Sequence, residues 1–284
     1  MSTKPMPKVR FGRHKISRLV LGDNTINAGS HLSRFVNEDM RSYFKTSRPV
    51  LKLLADCEAE GISLWQTNLN RIPDYLKHRK AGGSMQFISL GSEDPKNPDA
   101  LARLVKAGAI GIAHHGELTD RLFKEGKLAD IKDYLAKVRD AGLQVGISTH
   151  MPDVIDYVES HGWDVDFYMA CVYERHRTRE QLKELLGYVP LPEKEVYLEE
   201  DPPRMFATMR NTPKTCLAFK ILAAGRLCEK QELVEQAFKS AFSQIKPTDA
   251  VLVGIWPKYE DQVVLNAKYV RKFSKLSKQP TPTK

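Results

Sequence analysis

The sequence predicts an α/β fold, a single closed (β/α)8 TIM barrel, from three observations: eight short apolar runs, amphipathic stretches between them, and glycines where those stretches end. Strands are expected at residues 17–21, 62–67, 86–90, 110–114, 144–149, 166–172, 216–221 and 251–255. Runs of this length, alternating with helical periodicity, give a parallel sheet covered by helices, and eight strands close such a sheet into a barrel. The helical stretches fall at 49–60, 72–80, 98–107, 127–141, 152–161, 179–186, 201–211, 229–243 and 259–275. Several end in AEG, KAG, DAG or SHG, where glycine supplies the left-handed cap before the next strand. Two connections, 23–48 and 173–201, are longer than a barrel requires and are expected to wall or cover its mouth.

Composition narrows the class further. With 284 residues and 42% hydrophobic content the chain can bury one sizeable core, so residues 1–276 are expected to form one domain. The basic, proline-containing stretch 277–284 offers no buried face and is expected to be a disordered tail. Cys57, Cys171, Cys216 and Cys228 show neither CxxC pairing nor regular spacing, which argues against a disulfide framework or zinc ribbon and for a reducing cytoplasm. The formal charge of +9 is spread along helices that also carry 35 acidic residues, so a small-molecule substrate is expected rather than nucleic acid. No apolar run is long enough for a signal peptide or membrane span, and the sequence gives no oligomeric state.

The opening PKVRFGRHKISRLVLGDNT resembles the start of an aldo-keto reductase, where a short hairpin closes the barrel bottom. LAFKILAAGRL and AVLVGIWPKYEDQVVLNAKYV resemble that superfamily's seventh strand, last strand and last helix, with Gly254, Gln262 and Asn266 in corresponding places. The blocks HHGELTDRLF, VGISTHMP and DVDFYMACVY further resemble a reductase-like subgroup lacking most of the catalytic tetrad. The resemblance implies NADP as cofactor and a Tyr, Lys, Asp and His set for carbonyl reduction. Gln66 stands at the Asp position, Arg71 at the Tyr and Leu90 at the Lys, and only a His survives, at His115 or His114. The reductase reaction is therefore expected to be lost and NADPH to bind weakly.

Reactive groups of such barrels sit at the C-terminal strand ends. Asp23, Asn24, His31, Gln66 and Asn68 are substrate-contact candidates, and His115, His150, Tyr173, Glu174 and Lys220 are catalytic candidates. Alternation places Gly111, Ala113 and His115 on one face of their strand, and Gly146, Ser148 and His150 on one face of the next. Both imidazoles then point inward on neighbouring strands. With Cys171 they could hold zinc or iron, or they could simply hydrogen-bond to backbone or carboxylates. Lys220 is read on strand seven in alternation with Ala218 and Leu222. It is either a Schiff-base nucleophile or the partner of Glu174 or Asp23. Arg226 and Lys258 lie where barrels bind phosphate, and are the cofactor-binding candidates.

Three functions follow as expectations. The first is acid-base or metal-assisted chemistry on a small polar carbonyl or hydroxyl compound of sugar-like character. The second is a divergent NAD(P)H-dependent oxidoreductase, and the third a non-catalytic ligand-binding barrel.

Overall fold

The structure, a computed structural model, describes residues 4–193 and 195–277. The chain begins with an antiparallel hairpin, β1 (Lys8–Phe11) and β2 (His14–Ser17), turned at Gly12 with φ of 56°. Eight parallel strands follow: β3 (Leu19–Gly22), β4 (Leu64–Thr67), β5 (Gln86–Gly91), β6 (Gly111–His114), β7 (Gln144–Thr149), β8 (Phe167–Cys171), β9 (Thr215–Phe219) and β10 (Ala250–Gly254). They close in sequence order, β10 pairing with β3. The (β/α)8 class is thus the observed one, and each barrel strand lies within a few residues of its expected place. The first starts two residues late because Ser17 belongs to the hairpin and Arg18 turns the chain, its amide bonded to the Pro7 carbonyl.

Two apolar layers result from strand alternation. Val20, Leu64, Ile88, Ala113, Phe167, Leu217 and Leu252 fill the barrel, joined from below by Val9, Phe11 and Ile16 of the hairpin. Phe11 meets Phe167 at 4.7 Å between ring centroids, so the hairpin is a plug. Gly146 keeps no side chain because the Phe167 ring occupies the space a Cβ would take, 2.3 Å from the ring's Cζ. The opposite parity, including Trp65, Phe87, Ile112 and Val145, packs beneath the helices.

The expected helices appear as α2 (Ser47–Ala59), α3 (Ile72–Lys80), α4 (Ala100–Lys106), α6 (Lys132–Asp140), α7 (Pro152–Ser160), α8 (Arg179–Leu186), α9 (Asp201–Asn211), α10 (Gln231–Gln244) and α11 (Gln262–Phe273). Two more were not expected. The helix α1 (Arg34–Tyr43) occupies the long first connection, started by the Ser33 hydroxyl accepting from the Val36 amide at 3.2 Å. The helix α5 (Gly116–Lys124) begins one residue after β6, too close to its strand for a loop signal to separate the two.

Beneath the barrel Arg18 donates to the carbonyls of Asp249, Lys246 and Ser274 and to the Ser277 hydroxyl. Ser277, the first residue of the expected tail, is therefore tied down. Residues 278–284 of that tail lie outside the described residues. Among the described residues no helix is long and apolar enough to cross a membrane.

Candidate active site

A cavity of about 710 Å³ opens at the C-terminal end of the barrel strands. Its floor is set by strand parity: Gln66, Leu90, Ser148, Met169 and Leu252 all stand on the inward faces of their strands and line it. The first connection supplies Asp23, Asn24 and His31, and the segment after β8 supplies Arg175. His115, Glu117, His150 and Lys220 complete the reactive wall. Several buried polar atoms of this wall have no partner among the described residues, namely Asp23 Oδ1, Gln66 Nε2 and Trp256 Nε1. Buried polar groups are ordinarily paired, so these are atoms a polar ligand would satisfy.

His150 is the most constrained group. Its Nδ1 lies 2.7 Å from Asp120 Oδ2, and its backbone amide donates to the same oxygen at 3.1 Å. The Thr149 hydroxyl donates to Asp120 Oδ1. Asp120 comes from α5, and α5 reaches β7 because Gly116 has no side chain: a Cβ there would stand 2.9 Å from Ser148 Oγ and 3.3 Å from His150 Cε1. The other imidazole nitrogen, Nε2, accepts from Arg175 Nη1 at 3.4 Å. His176 lies edge-on to His150 with centroids 4.8 Å apart, and Phe219 packs at 5.5 Å.

The electrostatics follow from burial first. Burial, reinforced by Lys220 and Arg175, holds the His150 pKa well below 6.5, so the ring is neutral at neutral pH. With Nδ1–H donated to Asp120, Nε2 keeps its lone pair. Burial raises the Asp120 carboxyl to about 6, against the pull of its donors Thr149 and His150. His176 falls to about 4 through burial and the neighbouring His150 and Arg175.

Above this pair the two long connections meet. Glu195 accepts from Arg175 Nε at 2.9 Å and the Tyr197 hydroxyl at 2.9 Å, and lies 3.2 Å from His31 Nδ1. Arg226 lies over the Tyr197 ring at 4.1 Å and donates to the His31 carbonyl at 3.3 Å. The connection after β8 is thus latched to the connection after β3, across the cavity mouth.

The remaining candidates divide by location. Asn68 donates to Asp23 Oδ2 at 3.3 Å, behind the wall that Asp23, Asn24 and Gln66 form. Glu174 is paired with Arg177 and, at 2.9 Å, with Arg204, away from the cavity. Tyr173 packs against Tyr197 with centroids 5.0 Å apart and does not line the cavity. Cys171 is fully buried in the larger apolar cluster, and burial pushes its thiol up to about 11. Lys258 pairs with Asp39 at the rim. The proposed grouping of His115, His150 and Cys171 is not formed: His115 caps α5 with an exposed side chain and Cys171 is sealed away. Among the described residues the set that does bring metal-type donors together is Asp120, His150 and His176, all within 4.8 Å of one another. Its 2.7 Å contact is a charge-assisted hydrogen bond, and Arg175 and Lys220 make the surroundings cationic, which fits proton transfer better than cation binding.

Lys220 is also corrected. The strand ends at Phe219, and Lys220 takes a left-handed conformation with φ of 61° instead of continuing the alternation. Its Nζ lies 3.4 Å from His31 Nε2, and it is paired with neither Glu174 nor Asp23.

Sequence reasoning missed Asp120, Arg175, His176 and Glu195. Asp120 carries one signal, a carboxylate on the buried side of an amphipathic stretch beside Thr119, but the helix α5 is not among the expected ones.

Asp23 gives a direct test of this wall. Burial raises its carboxyl to about 7, although Asn27 and Asn68 both donate to Oδ2. The folded chain therefore holds a proton that the unfolded chain releases near pH 4, and this contribution to stability is lost as pH rises toward 7. Asp23→Asn keeps an acceptor at the Oδ2 position without an ionisable group. Its stability relative to the parent is expected to grow by about 2–4 kcal/mol between pH 4 and pH 8. Denaturant melts at the two pH values read this difference, and a pH-independent effect would show that Asp23 stays ionised.

No known family's sequence pattern matches the chain, and no curated protein matches it. Solved structures do. A truncated form of 3-deoxy-D-arabino-heptulosonate 7-phosphate synthase from Thermotoga maritima is similar with TM-score 0.55 at 11% identity, covering 96% of this chain and 92% of that one. 3-Hexulose-6-phosphate synthase from Salmonella typhimurium is similar with TM-score 0.45 at 13% identity, over 90% and 97% of the two chains. The glycerol dehydrogenase AKR11B4 from Gluconobacter oxydans gives TM-score 0.44 at 13% identity, over 98% of each. The first of these supports the barrel fold and nothing finer.

Proposed function

We propose that this chain is an enzyme that moves a proton on a small polar carbonyl or hydroxyl compound, of sugar-like character, at the C-terminal face of the barrel. The observation that carries the reading is the buried Asp120–His150 pair, which fixes the ring through Nδ1 and leaves Nε2 unprotonated beside the cavity, in a long 3.4 Å contact with Arg175 Nη1. Fold does not determine reaction; the side chains at the mouth do. As Arg175 turns from His150 Nε2 to the substrate oxygen, Nε2 would remove a proton from carbon or hydroxyl, and the charge developing on that oxygen would be met by Lys220 and Arg175. Asp23, holding its proton up to about pH 7, can donate from Oδ1 on the opposite side of the mouth. The unpaired polar atoms along the wall suit a hydroxyl-rich ligand.

The divergent aldo-keto oxidoreductase reading is less well supported. Arg226 and Lys258, its cofactor candidates, are engaged with Tyr197 and Asp39. Arg71, at the position of the reductase tyrosine, is bound to Asn27 Oδ1 and the Ile26 carbonyl. A purely ligand-binding barrel would not need a buried carboxylate to set the tautomer of one histidine.

Two measurements test the reading. Nitrogen-15 NMR of His150 is expected to show a neutral ring protonated at Nδ1 near pH 7. In deuterated water, a panel of aldoses, ketoses and α-hydroxy ketones is expected to contain a class whose proton next to the carbonyl exchanges faster with the native chain than with His150→Ala. A His150 ring protonated at Nε2, with no His150-dependent exchange, would sink the proposal.

A further inference from the structure

Two bases of the mouth, Lys220 and His31, sit on left-handed backbone, with φ of 61° and 56°, and in Lys220 that backbone decides where a long side chain goes. In β9 Leu217 points into the barrel and Ala218 outward under the helices, so a regular strand would turn residue 220 outward as well. A φ of 61° at a residue with a long side chain reverses that direction and returns the amine to the cavity. Left-handed backbone at such a residue persists only where the surroundings impose it, and it concentrates at functional sites. The next turn is left-handed too, with φ of 47° at Ala223 and 53° at Ala224.

The amine so placed has no carboxylate within ion-pair distance among the described residues, since Glu174 is held by Arg177 and Arg204, Asp23 by Asn27 and Asn68, and Glu195 by Arg175. Its side-chain partner is His31 Nε2 at 3.4 Å, and His31 presents its other nitrogen to Glu195 at 3.2 Å. That arrangement makes His31 Nε2 an acceptor for a lysine proton. The titratable groups whose charge bears on Nζ are Cys171, Arg175, Glu117 and Arg226. Burial dominates them and brings the amine down to about 8, while burial with Lys220 and Arg175 holds His31 near 4. A lysine kept for charge balance would have a carboxylate; a lysine kept as a nucleophile needs a deprotonated fraction and a proton acceptor.

We propose that the Lys220 amine condenses with the carbonyl group of the substrate to form a Schiff base. The inference rests on the carbonyl substrate class proposed above. The neutral fraction of the Lys220 amine, hydrogen-bonded to His31 Nε2, attacks the carbonyl carbon with its lone pair as the carbon–oxygen double bond opens to an alkoxide. One proton from the nitrogen and one from solvent, relayed through His31, convert that oxygen to water, which leaves as the carbon–nitrogen double bond forms. The balance is one neutral amine, one carbonyl and one proton giving one iminium and one water. The iminium then draws electrons from the neighbouring carbon, from which His150 Nε2 can take a proton. Hydrolysis by one water restores both amine and carbonyl.

The test is reductive trapping on the full chain with dihydroxyacetone, pyruvate or glycolaldehyde as separate probes and sodium cyanoborohydride as reductant, read by peptide mass mapping. With at least one probe, Lys220 is expected to be labelled at least tenfold faster than the median surface lysine, with a rate rising through pH 8. Lys220→Arg is expected to lose that selective label while keeping its melting temperature within a few degrees. Labelling of Lys220 no faster than surface lysines with all three probes overturns the Schiff base, and requires no variant to fold. His150→Asn separates the two readings: it should keep the label and lose proton exchange. Exchange in the native chain without a Lys220 label defeats this inference alone, whereas a Lys220 label with exchange unchanged in His150→Asn defeats the base assignment alone.

Discussion

Replacing His150 by Ala is expected to lower turnover of a carbonyl substrate by about 10²–10⁴-fold, the usual contribution of a positioned general base. Asp120→Asn is expected to approach that loss although it removes no group that touches substrate. An amide at position 120 can donate to Nδ1, which moves the ring proton to Nε2 and occupies the lone pair that would do the work. The pH profile distinguishes this from general damage. In the native chain the pair is basic only while Asp120 is ionised, so activity should hold from neutrality down to about pH 6 and fall below it. In Asp120→Asn that acidic limb should vanish along with most of the rate. Steady-state kinetics across pH 5–8, with thermal melts to establish folding, check both points. A full-rate Asp120→Asn enzyme would make the carboxylate structural.

The second large effect lies at the other end of the barrel. Lys246 and Asp249 are 1% and 0% exposed, with Nζ 3.2 Å from Oδ1. Lys246 also donates to the Met209 carbonyl, and Asp249 accepts from the amides of Cys216 and Lys246, each at 2.9 Å. Lys246→Met leaves the Asp249 charge buried without its counter-ion, a change that costs about 3–5 kcal/mol. For a chain of this size each kcal/mol lowers the melting temperature by roughly 2–4 °C, so a fall of the order of 10 °C is expected. The mouth is at the opposite end of the strands, so activity per folded molecule should not change. Calorimetry together with turnover measurements tests the division. A loss below about 1 kcal/mol would mean that the two amide donors suffice for Asp249.

The barrel was legible in the sequence because each of its strands is an apolar run wedged between helical periodicities, a signal local to a few residues. The hairpin was legible through the resemblance carried by Phe11, Gly12 and Arg13. The site was half legible. Parity along β6 and β7 put His150 at the mouth, and strand ends nominated Asp23, Gln66 and Lys220. What decides their chemistry is not local. Asp120 reaches His150 only because Gly116 admits α5 against β7, a contact across some thirty residues that periodicity does not report. Lys220 reached the cavity by breaking the alternation from which its direction was inferred, through a φ that no lysine announces. Glu195 joins His31 and Arg175 from a connection with no regular pattern, so nothing in its neighbourhood marked it as a latch.

The pairing of β10 with β3 also has a consequence for how the chain is made. Val251 to Gly254 bond to Leu19 to Gly22, so the two edges of the sheet meet only when a segment more than two hundred residues downstream of the first strand has emerged from the ribosome. Until then β3 and β9 present unpaired strand edges, which other chains can capture. The hairpin is synthesised before all of these strands, and its Phe11 and Ile16 have little to pack against until they arrive. A nascent chain stopped before Ala250 is therefore expected to depend on chaperones to stay soluble, whereas one that has released α11 can close the circle on itself.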